Sequence, residues 1–484
     1  MNRSVTRLLA AALLVSTAAI AGSKTETNRP FINTKDFRNR VESLTIFHKA
    51  LAYESDKLIG GNVQVVPFYL QQKDSSRDEL GKGFGVDHLQ NIIFDDATGI
   101  AAAPSTNGYV DAGYLIHEED SSTDGTAYSK LEIKPRHKAY GVNVDYCHKL
   151  DELADGLWFR VCTGLVKVEH LLGLTWASEA QVDTTHPYVS QYLDGSTETT
   201  DAADLTKLLT HGKMDGETRD ESGFNDVEAM IGWNFVEKDN AKMALSVGIV
   251  IPTGNEPTAE YRFEPLYGTR HFQFGVGLTG CGTLWEKDEN KFKAVFDAHY
   301  RYAFEREVKR LVGIKDTDYG FYYLLQQTGA AAATKLIPAA NLLAMDLKVT
   351  PGSSFDGTAM LTFCSKWFVV DAGYNFYGCQ SQKPTIKDWT DDTYYKVDKA
   401  YDTSATWATN ASALQGTAIN KTNLDKDIDS QMIHKVFAAA GVVTTEWDYP
   451  VTFGIGGSIE FVQGAKKQIT PANYEVFGKV GISF

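Results

Sequence analysis

Few side chains in this sequence are spaced as catalytic groups usually are. The chain contains no G-x-S-x-G, H-E-x-x-H, P-loop or C-x-x-C motif. The candidates for a hydrolase site are His299, which follows Asp297 by two residues, and His271. A single histidine among acidic residues is far more often a hydrogen-bonded structural residue than a general base. We therefore predict that the protein is not an enzyme and uses no cofactor and no metal.

An acidic segment, Gly173 to Asn225, has a composition that could attract divalent cations. It holds ten acidic residues against three basic ones. Hard cations bind clustered carboxylates, but the spacing here matches no defined calcium loop. We favour a solvated surface over a cation site.

Charged residues alternate with apolar ones along several stretches, of which Lys291–Val308 is the most informative. Phe292, Phe296 and Tyr300 share one face, while charged residues share the other. Successive side chains of a β-strand point to opposite faces, so these stretches predict strands with one apolar and one polar face. If these strands close into a barrel, their polar faces line its lumen. The predicted lumen-lining residues are Asp111, Asp145, Arg160, Lys293, Asp297, His299, Arg301, Asp371, Lys435 and Glu460.

Charges of both signs in an enclosed space must be solvated or paired. A hydrated channel satisfies them at little cost. The alternative is a lumen filled by these residues and a plug, which would conduct nothing.

Two of the five cysteines lie on the polar parity of neighbouring predicted strands. Cys147 and Cys162 flank the turn Leu150–Gly156. Directly opposed residues of antiparallel strands have Cβ atoms close enough for a disulfide, and an exported chain meets oxidising conditions. We predict a cross-strand disulfide between them.

The chain ends on a strand of the same type, Asn473–Phe484. Tyr474, Val476, Val480, Ile482 and Phe484 share one face, and Phe477 is the exception on the other. Counted back from this strand, the predicted strands are joined alternately by short turns and by connections that are mostly long. Transmembrane barrels have short periplasmic turns and long outer loops, whereas a Greek-key sandwich would not sort its loops in this way.

The strand count predicts the fold class: an all-β transmembrane antiparallel barrel of about fourteen strands. Ile59–Leu70 is the first strand, and Gly83–Phe94 and Asn107–His117 are the less regular second and third. A further hairpin, Tyr319–Gln327 with Asn341–Val349, would raise the number to about sixteen.

The N-terminus has the parts of a secretory signal peptide, which we assign to residues 1–21. Arg3 and Arg7 precede an apolar run that ends at Ala19-Ile20-Ala21. Residues 22–58 are predicted to form a periplasmic or lumenal plug segment, and 59–484 the barrel. No later stretch is apolar for long enough to form a spanning helix. The formal charge of -15 argues against nucleic acid as a partner.

This chain resembles bacterial outer-membrane porins over nearly all of its predicted mature length. Val247–Gly254, followed by Phe272–Gly280, is similar to the FadL-type transporters and to the related phenol-degradation channels, although the Asn-Pro-Ala start of the FadL hatch is missing. The porin resemblance implies an outer-membrane location. It also implies an assembly signal at Phe484, Ile482 and Val480, read by the barrel-assembly machinery.

We predict a passive outer-membrane channel for small-molecule solutes, surrounded by outer-membrane lipid and modestly favouring cations because the surface is negative. The alternatives are a FadL-like carrier of hydrophobic compounds and a structural or adhesive surface barrel. The sequence does not specify the oligomeric state or the solute.

Overall fold

The computed structural model describes residues 45, 60–74, 92–95, 109–111, 128–178, 189–196, 209–315, 320–322, 324–327, 336–397, 415–428, 430–444, 447–464 and 471–484. The predicted signal peptide lies outside the described residues. Of the predicted plug segment, only Thr45 is described.

Twelve long antiparallel strands form a closed barrel. They are β1 Gly61–Gln72, β2 Arg136–Lys149, β3 Leu157–Leu171, β4 Val227–Lys238, β5 Ala241–Ile251, β6 Gln273–Lys287, β7 Asn290–Ala303, β8 Gly352–Ser365, β9 Phe368–Cys379, β10 Gln431–Val443, β11 Val451–Gly464 and β12 Asn473–Ser483. Each strand pairs with its neighbour in sequence, and β12 pairs back onto β1, with Asn62 opposite Ser483 and Gln72 opposite Asn473. Closure satisfies the backbone groups that an open edge would expose.

The last residue takes part in this closure. The Gly61 amide donates to the Phe484 carbonyl at 2.9 Å, and the Phe484 amide donates to the Gly61 carbonyl at 3.0 Å. Phe484 therefore supplies the backbone hydrogen bonds that pair the start of β1 with the end of the chain.

The connections are sorted by barrel end, as the sequence predicted. One end, here called the turn end, carries 150–156, 239–240, 288–289, 366–367 and 444–450. The other, the loop end, carries 73–135, 172–226, 252–272, 304–351, 380–430 and the shorter 465–472.

The predicted strand number of fourteen was wrong, because two predicted strands lie in the first long connection. Ile92–Asp95 and Tyr109–Asp111 pair in parallel with each other, and with Tyr128–Ile133 and Leu174–Ser178 they form a separate small sheet. Both are shorter than the roughly nine residues that a spanning strand needs. The sixteen-strand alternative also fails, since Leu324–Gln327 and Ala344–Val349 belong to two different loop sheets.

One extra strand, Thr218–Phe224, is attached to the barrel. It pairs with residues 165–171 of β3, on the loop-end side of Cys162. The pairing of β3 with β4 covers residues 157–162. It covers a strand edge that β4 leaves unpaired.

Outward positions of the barrel form an apolar belt to which every strand contributes. Exposed examples, one from each strand in order, are Val65, Val144, Leu165, Trp233, Leu245, Val276, Tyr300, Leu361, Tyr374, Val436, Ile455 and Val480. Soluble monomers rarely expose a contiguous apolar surface larger than a few hundred Å². The belt is the surface that a barrel presents to lipid.

The described parts of the long connections fold together into a cap at the loop end, and this cap contains the largest apolar core among the described residues. Its buried residues come from all five of the longest connections, for example Ile133, Tyr192, Phe263, Leu343 and Leu424. Besides the small sheet above, the cap contains helices α1 Val189–Asp194 and α2 Ala339–Leu343, 3-10 turns Gly320–Tyr322 and Lys421–Asn423, and strands Arg306–Leu311, Gly313–Ile314, Leu324–Gln327, Leu336–Pro338, Ala344–Val349, Thr385–Ile386, Tyr394–Val397, Gln415–Ala418 and Leu424–Asp425. The described parts of the long insertions thus form a packed layer.

Asp226 fastens the 252–272 connection to the start of β4. This fully buried carboxylate accepts hydrogen bonds from the backbone amides of Thr253 at 3.1 Å, Gly254 at 3.3 Å and Thr269 at 2.7 Å. The Thr253-Gly254 pair, part of the FadL-like stretch in the sequence, therefore has a structural role here.

No helix in the described part of the chain is long and apolar enough to cross a membrane.

Candidate functional site

The barrel lumen gathers almost all of the predicted functional residues. Alternate positions of each strand point inward and are buried, while their neighbours carry the apolar belt. The inward set includes Asp145, Arg160, Lys293, Asp297, His299, Arg301, Asp371, Lys435 and Glu460. Asp111 is a correction: it ends the short loop strand Tyr109–Asp111 and belongs to no barrel strand.

Arg160 of β3 and Asp145 of β2 form a buried ion pair. The Arg160 Nε lies 3.0 Å from Asp145 Oδ1 and 2.8 Å from Oδ2, and Arg160 Nη2 also donates to Oδ2. Both side chains are almost fully shielded from solvent, with exposures of 4% and 5%. The pair is charge-assisted and places a guanidinium firmly on the wall.

Arg301 of β7 reaches Glu228 of β4 over the two strands between them. Arg301 Nε lies 2.9 Å and Nη2 2.8 Å from Glu228 Oε1. Cys162 of β3 also donates to this carboxylate, at 3.7 Å from Oε2. The Arg301 side chain lies over Gly275 of β6, where a Cβ would be 2.9 Å from Arg301 Cγ, so the contact runs along the inner wall of the lumen.

A second cluster lies across β10, β11 and β12. Lys435 Nζ is 3.5 Å from Glu460 Oε1 and 3.1 Å from Glu475 Oε2. Asn473 Nδ2 donates to Glu460 at 3.0 Å, and Ser458 Oγ donates to Glu475 at 3.3 Å. One ammonium is thus shared by two carboxylates.

His299 and Asp297 are hydrogen-bonded at 2.8 Å between Nε2 and Oδ1, and both are buried. Gly277 lies between Ser246 and His299 in register. A Cβ at Gly277 would lie 2.4 Å from His299 Cε1 and 2.5 Å from Ser246 Oγ, so only glycine leaves room for the ring. Among the described residues, no group of three or more His, Cys, Asp and Glu side chains is placed to hold a metal ion.

Asp371 of β9 accepts a hydrogen bond from Thr362 of β8 at 2.5 Å. Asn375 donates to Thr358 Oγ1 at 2.9 Å and to Asp356 Oδ1 at 2.7 Å. Sequence analysis did not single out the threonines, because hydroxyl groups suit strands on either face.

The lumen also has an apolar side, which sequence analysis missed. Val66, Phe68, Val166, Val168 and Phe477 are buried together there. Strand parity could have revealed it, because Val66 and Phe68 share the parity of Gln64, and Phe477 was the exception on the polar face of β12.

Thr45 reaches this interior from the segment ahead of β1. It is fully buried, and its carbonyl accepts a hydrogen bond from Lys479 Nζ of β12 at 2.5 Å. The contact lies on the inward parity of β12.

The predicted disulfide between Cys147 and Cys162 is not formed in the structure. The register explains this: Cys147 is opposite Arg160, and Cys162 is opposite Asp145. The cysteines share the inward face, but they are diagonal neighbours and not a directly opposed pair.

Closure, an apolar outer belt and a polar lumen define the class: an outer-membrane β-barrel, as the sequence predicted. Phe484, Ile482 and Val480 share the outward parity of the closing strand, and the last two are exposed on the belt. Their role as an assembly signal stays a prediction.

No protein-family model and no curated protein matches the sequence. Solved outer-membrane barrels resemble the chain at low identity. An outer membrane channel from Pseudomonas putida F1 has 10% identity and a TM-score of 0.36, covering 90% of this chain and 98% of its own. A Pseudomonas aeruginosa FadL homologue has 7% identity and a TM-score of 0.26, covering 88% and 89%. The NanC porin has 9% identity and a TM-score of 0.27, covering 72% and 93%. The predicted resemblance to porins and FadL-type transporters is confirmed at this level.

Proposed function

We propose that the protein is an outer-membrane channel through which small hydrophilic solutes diffuse. The observation that carries the proposal is the ion pair between Arg301 and Glu228, which lies on the inner wall and bridges the non-adjacent strands β7 and β4. Together with Lys435 and its two carboxylates, this pair provides charged and polar groups that replace the water bound to a passing solute. A hydrophobic solute would have to leave apolar surroundings to cross this region.

The solutes of such a channel are small. The inward charged side chains are nearly inaccessible to solvent: Asp371 is 0% exposed, Lys435 1% and Arg301 8%. Passage therefore requires side chains of the wall to move, and the cap narrows access from the loop end. We expect low permeability with a sharp size limit.

The proposal includes no catalysis. His299 and Asp297 act as a hydrogen-bonded part of the wall, and the geometry around Gly277 holds the ring in place.

Swelling of proteoliposomes loaded with an impermeant polymer tests the proposal. Glycerol, arabinose and a trisaccharide are added outside in turn, with wild-type protein and with a double variant, Arg301→Ala with Glu228→Ala. We expect slow swelling with glycerol, none with the trisaccharide, and a higher size limit for the double variant. Lys138→Gln, which alters an outward pair with Glu169, is the matched control and should behave as wild type. Equal rates with and without protein for every solute would rule the proposal out.

A second candidate, a FadL-like carrier of hydrophobic compounds, is favoured by the apolar side of the lumen. Phe68 and Phe477 face each other in register there, and Tyr267 of the cap belongs to the same cluster. This patch would receive an apolar ligand while the ion pairs on the charged side stayed intact.

Thermal unfolding in micelles with added monoaromatic or long-chain compounds separates the two candidates. The carrier predicts a ligand-dependent rise in the midpoint that Phe68→Ser abolishes. The channel predicts no such rise. Swelling with glycerol then decides independently whether polar solutes pass.

A further inference from the structure

Two histidines meet inside the barrel at its loop end. His137 of β2 and His170 of β3 are directly opposed in register, and both point inward. His137 Nδ1 lies 2.8 Å from His170 Nε2, and the two rings are tilted by 61° to each other. The two residues are 2% and 1% exposed. The contact is therefore a buried hydrogen bond between two imidazoles.

His170 also joins the barrel to the cap. The ring of Phe263, in the 252–272 connection, is stacked on the His170 ring, with centroids 4.0 Å apart and planes 12° apart. Phe263 is buried in the apolar core of the cap. His170 thus contacts His137 through a ring nitrogen and Phe263 through a ring face. A side-chain rotation that moves this nitrogen away from His137 also moves the face off Phe263.

The same connection reaches the apolar side of the lumen. Tyr267 is buried there with Phe68 and Phe477. Its hydroxyl donates to the Ser222 carbonyl at 3.3 Å. Phe263 and Tyr267 therefore both hold this connection against the barrel, and loss of the Phe263 contact would leave the apolar side of the lumen less well covered.

The hydrogen bond between the histidines limits how many protons the pair can carry. One of the two facing nitrogens must donate a hydrogen and the other must accept it, so the contact forms only while at most one imidazole is charged. When both are protonated, two N–H groups and two like charges face each other. Buried charges require partners or water. A doubly charged pair is therefore incompatible with the closed arrangement.

A carboxylate on β11 acts on one member of the pair. The charge of Glu460 favours a proton on His137. Glu460 is already 3.5 Å from Lys435 Nζ, and it accepts a hydrogen bond from Asn473 Nδ2 at 3.0 Å. Gln72 of β1, which accepts the His137 amide at 3.1 Å, is neutral. These groups can support one charge on the pair.

The described groups around His170 are less favourable to a charge. Arg219 of the extra strand lies opposite His170 in register, and its guanidinium is paired with Asp215. From the cap, the backbone of Phe263 and Glu264 contacts the His170 ring. The Glu264 carboxylate accepts backbone hydrogen bonds within its own loop. A second proton therefore requires the pair to separate and admit water.

We propose that the His137–His170 pair is a pH-dependent contact that holds the 252–272 connection to the barrel wall and releases it when both imidazoles are protonated. An exposed imidazole takes up a proton at about pH 6.5. The released state binds more protons than the closed state, so release becomes more favourable as the pH falls below this value. Mild acid thus opens the loop end of the lumen. The proposal holds whichever solutes the lumen passes.

Amide hydrogen exchange of the full chain in micelles, between pH 5 and pH 7 and corrected for intrinsic rates, tests the proposal. The Arg262 amide, which donates to the Lys213 carbonyl at 2.9 Å, and the Tyr267 amide, which donates to Asn255 Oδ1 at 2.9 Å, flank Phe263. Every protein carries His271→Gln, so that protons taken up at His271 do not contribute.

Protection of these two amides should fall by at least about thirtyfold from pH 7 to pH 5 with both histidines present. The reason is that each proton taken up contributes up to about tenfold per pH unit below 6.5. The double variant His137→Gln with His170→Gln should change by less than about threefold, since neither side chain titrates. Either single variant should lose most of the fall, because one imidazolium beside a glutamine meets no like charge.

His148→Gln is the matched control, since His148 lies on β2 as well but at the turn end, beside Tyr146. It should keep the full fall in protection. An equal fall with and without the two histidines would overturn the proposal, and so would a loss in His148→Gln as large as in the double variant. Each single variant removes only one ring, so either one tests the pair even if the other fails to fold.

Discussion

Arg301 on β7 donates to Glu228 on β4 at 2.8–2.9 Å, although β5 and β6 separate the two strands. Gly275 of β6 lies beneath this contact, because a Cβ at Gly275 would be 2.9 Å from Arg301 Cγ. The Arg301 side chain therefore runs along the inner wall, and the ion pair lies over β5 and β6. A route through the barrel past this contact is therefore lined by charged groups.

Removing one partner of this pair should destabilise the barrel. Glu228→Leu leaves a buried guanidinium without its carboxylate, which costs about 3 kcal/mol of unfolding free energy. The double variant Glu228→Leu with Arg301→Met should recover most of the loss. Urea titration of protein refolded into micelles measures both, with Lys138→Gln as a control within about 0.5 kcal/mol of wild type. A double variant as unstable as the single one would contradict the account.

The last residue should control the yield of folded barrel. Phe484 closes β12 against Gly61, and its ring lies 2.6 Å from where a Gly61 Cβ would be. Deletion of Phe484, or Gly61→Val, should reduce the fraction that migrates as a compact species in SDS without boiling. Phe484→Tyr keeps an aromatic ring and is the matched control. Normal yield after the deletion would mean that closure does not depend on this residue.

Asp226 should set the local stability of the 252–272 connection. Asp226→Ala removes the acceptor of three backbone amides, at a cost of about 3 kcal/mol to local opening. Hydrogen exchange of the Thr253, Gly254 and Thr269 amides should accelerate by about a hundredfold, since each 1.4 kcal/mol is a factor of ten. Exchange within β10 should stay unchanged, and Asp288→Ala, at the turn end, should leave the loop protected.

The cap should loosen in mild acid through His271. Its pKa falls from 6.5 to about 4 mainly because it is buried, while its Nδ1 donates to the Phe304 carbonyl at 3.0 Å. Between these two values the unfolded state binds the proton and the folded state does not, so stability falls as the pH falls through this window. The loss from pH 7 to pH 5 is about 2 kcal/mol.

Hydrogen exchange in the cap at the two pH values, corrected for the intrinsic rates, measures this loss. His271→Gln keeps a side-chain donor but does not titrate, so it should remove that part of the pH dependence. An unchanged pH dependence in the variant would show that other groups are responsible.

Much of the barrel was predictable, because strand parity and loop length report directly on a closed sheet in lipid. The alternation in Lys291–Val308 correctly placed Asp297, His299 and Arg301 on one inward face. The connection lengths identified which end carries turns. Both features result from local constraints that each strand meets separately.

The rest depends on contacts between distant parts of the chain. Gly83–Phe94 and Asn107–His117 alternate weakly, and the parts that form strands pair within the cap, so the predicted count was too high. The spacing around the Leu150–Gly156 turn did not reveal that Cys147 would face Arg160, because a register is set by the whole strand pair. The contact from Arg301 to Glu228 depends on the registers of four successive strands, which no pattern within one strand encodes.

Conductance of the purified protein in a planar lipid bilayer tests the central claim most directly. A polar lumen lined by Arg301 and Glu228 predicts small ohmic current steps for the wild type and for Lys138→Gln. It predicts larger current steps when both members of this ion pair are replaced by alanine. The absence of current for every variant at every voltage and salt concentration would contradict a channel, and equal steps in the wild type and the double variant would contradict a route past this ion pair.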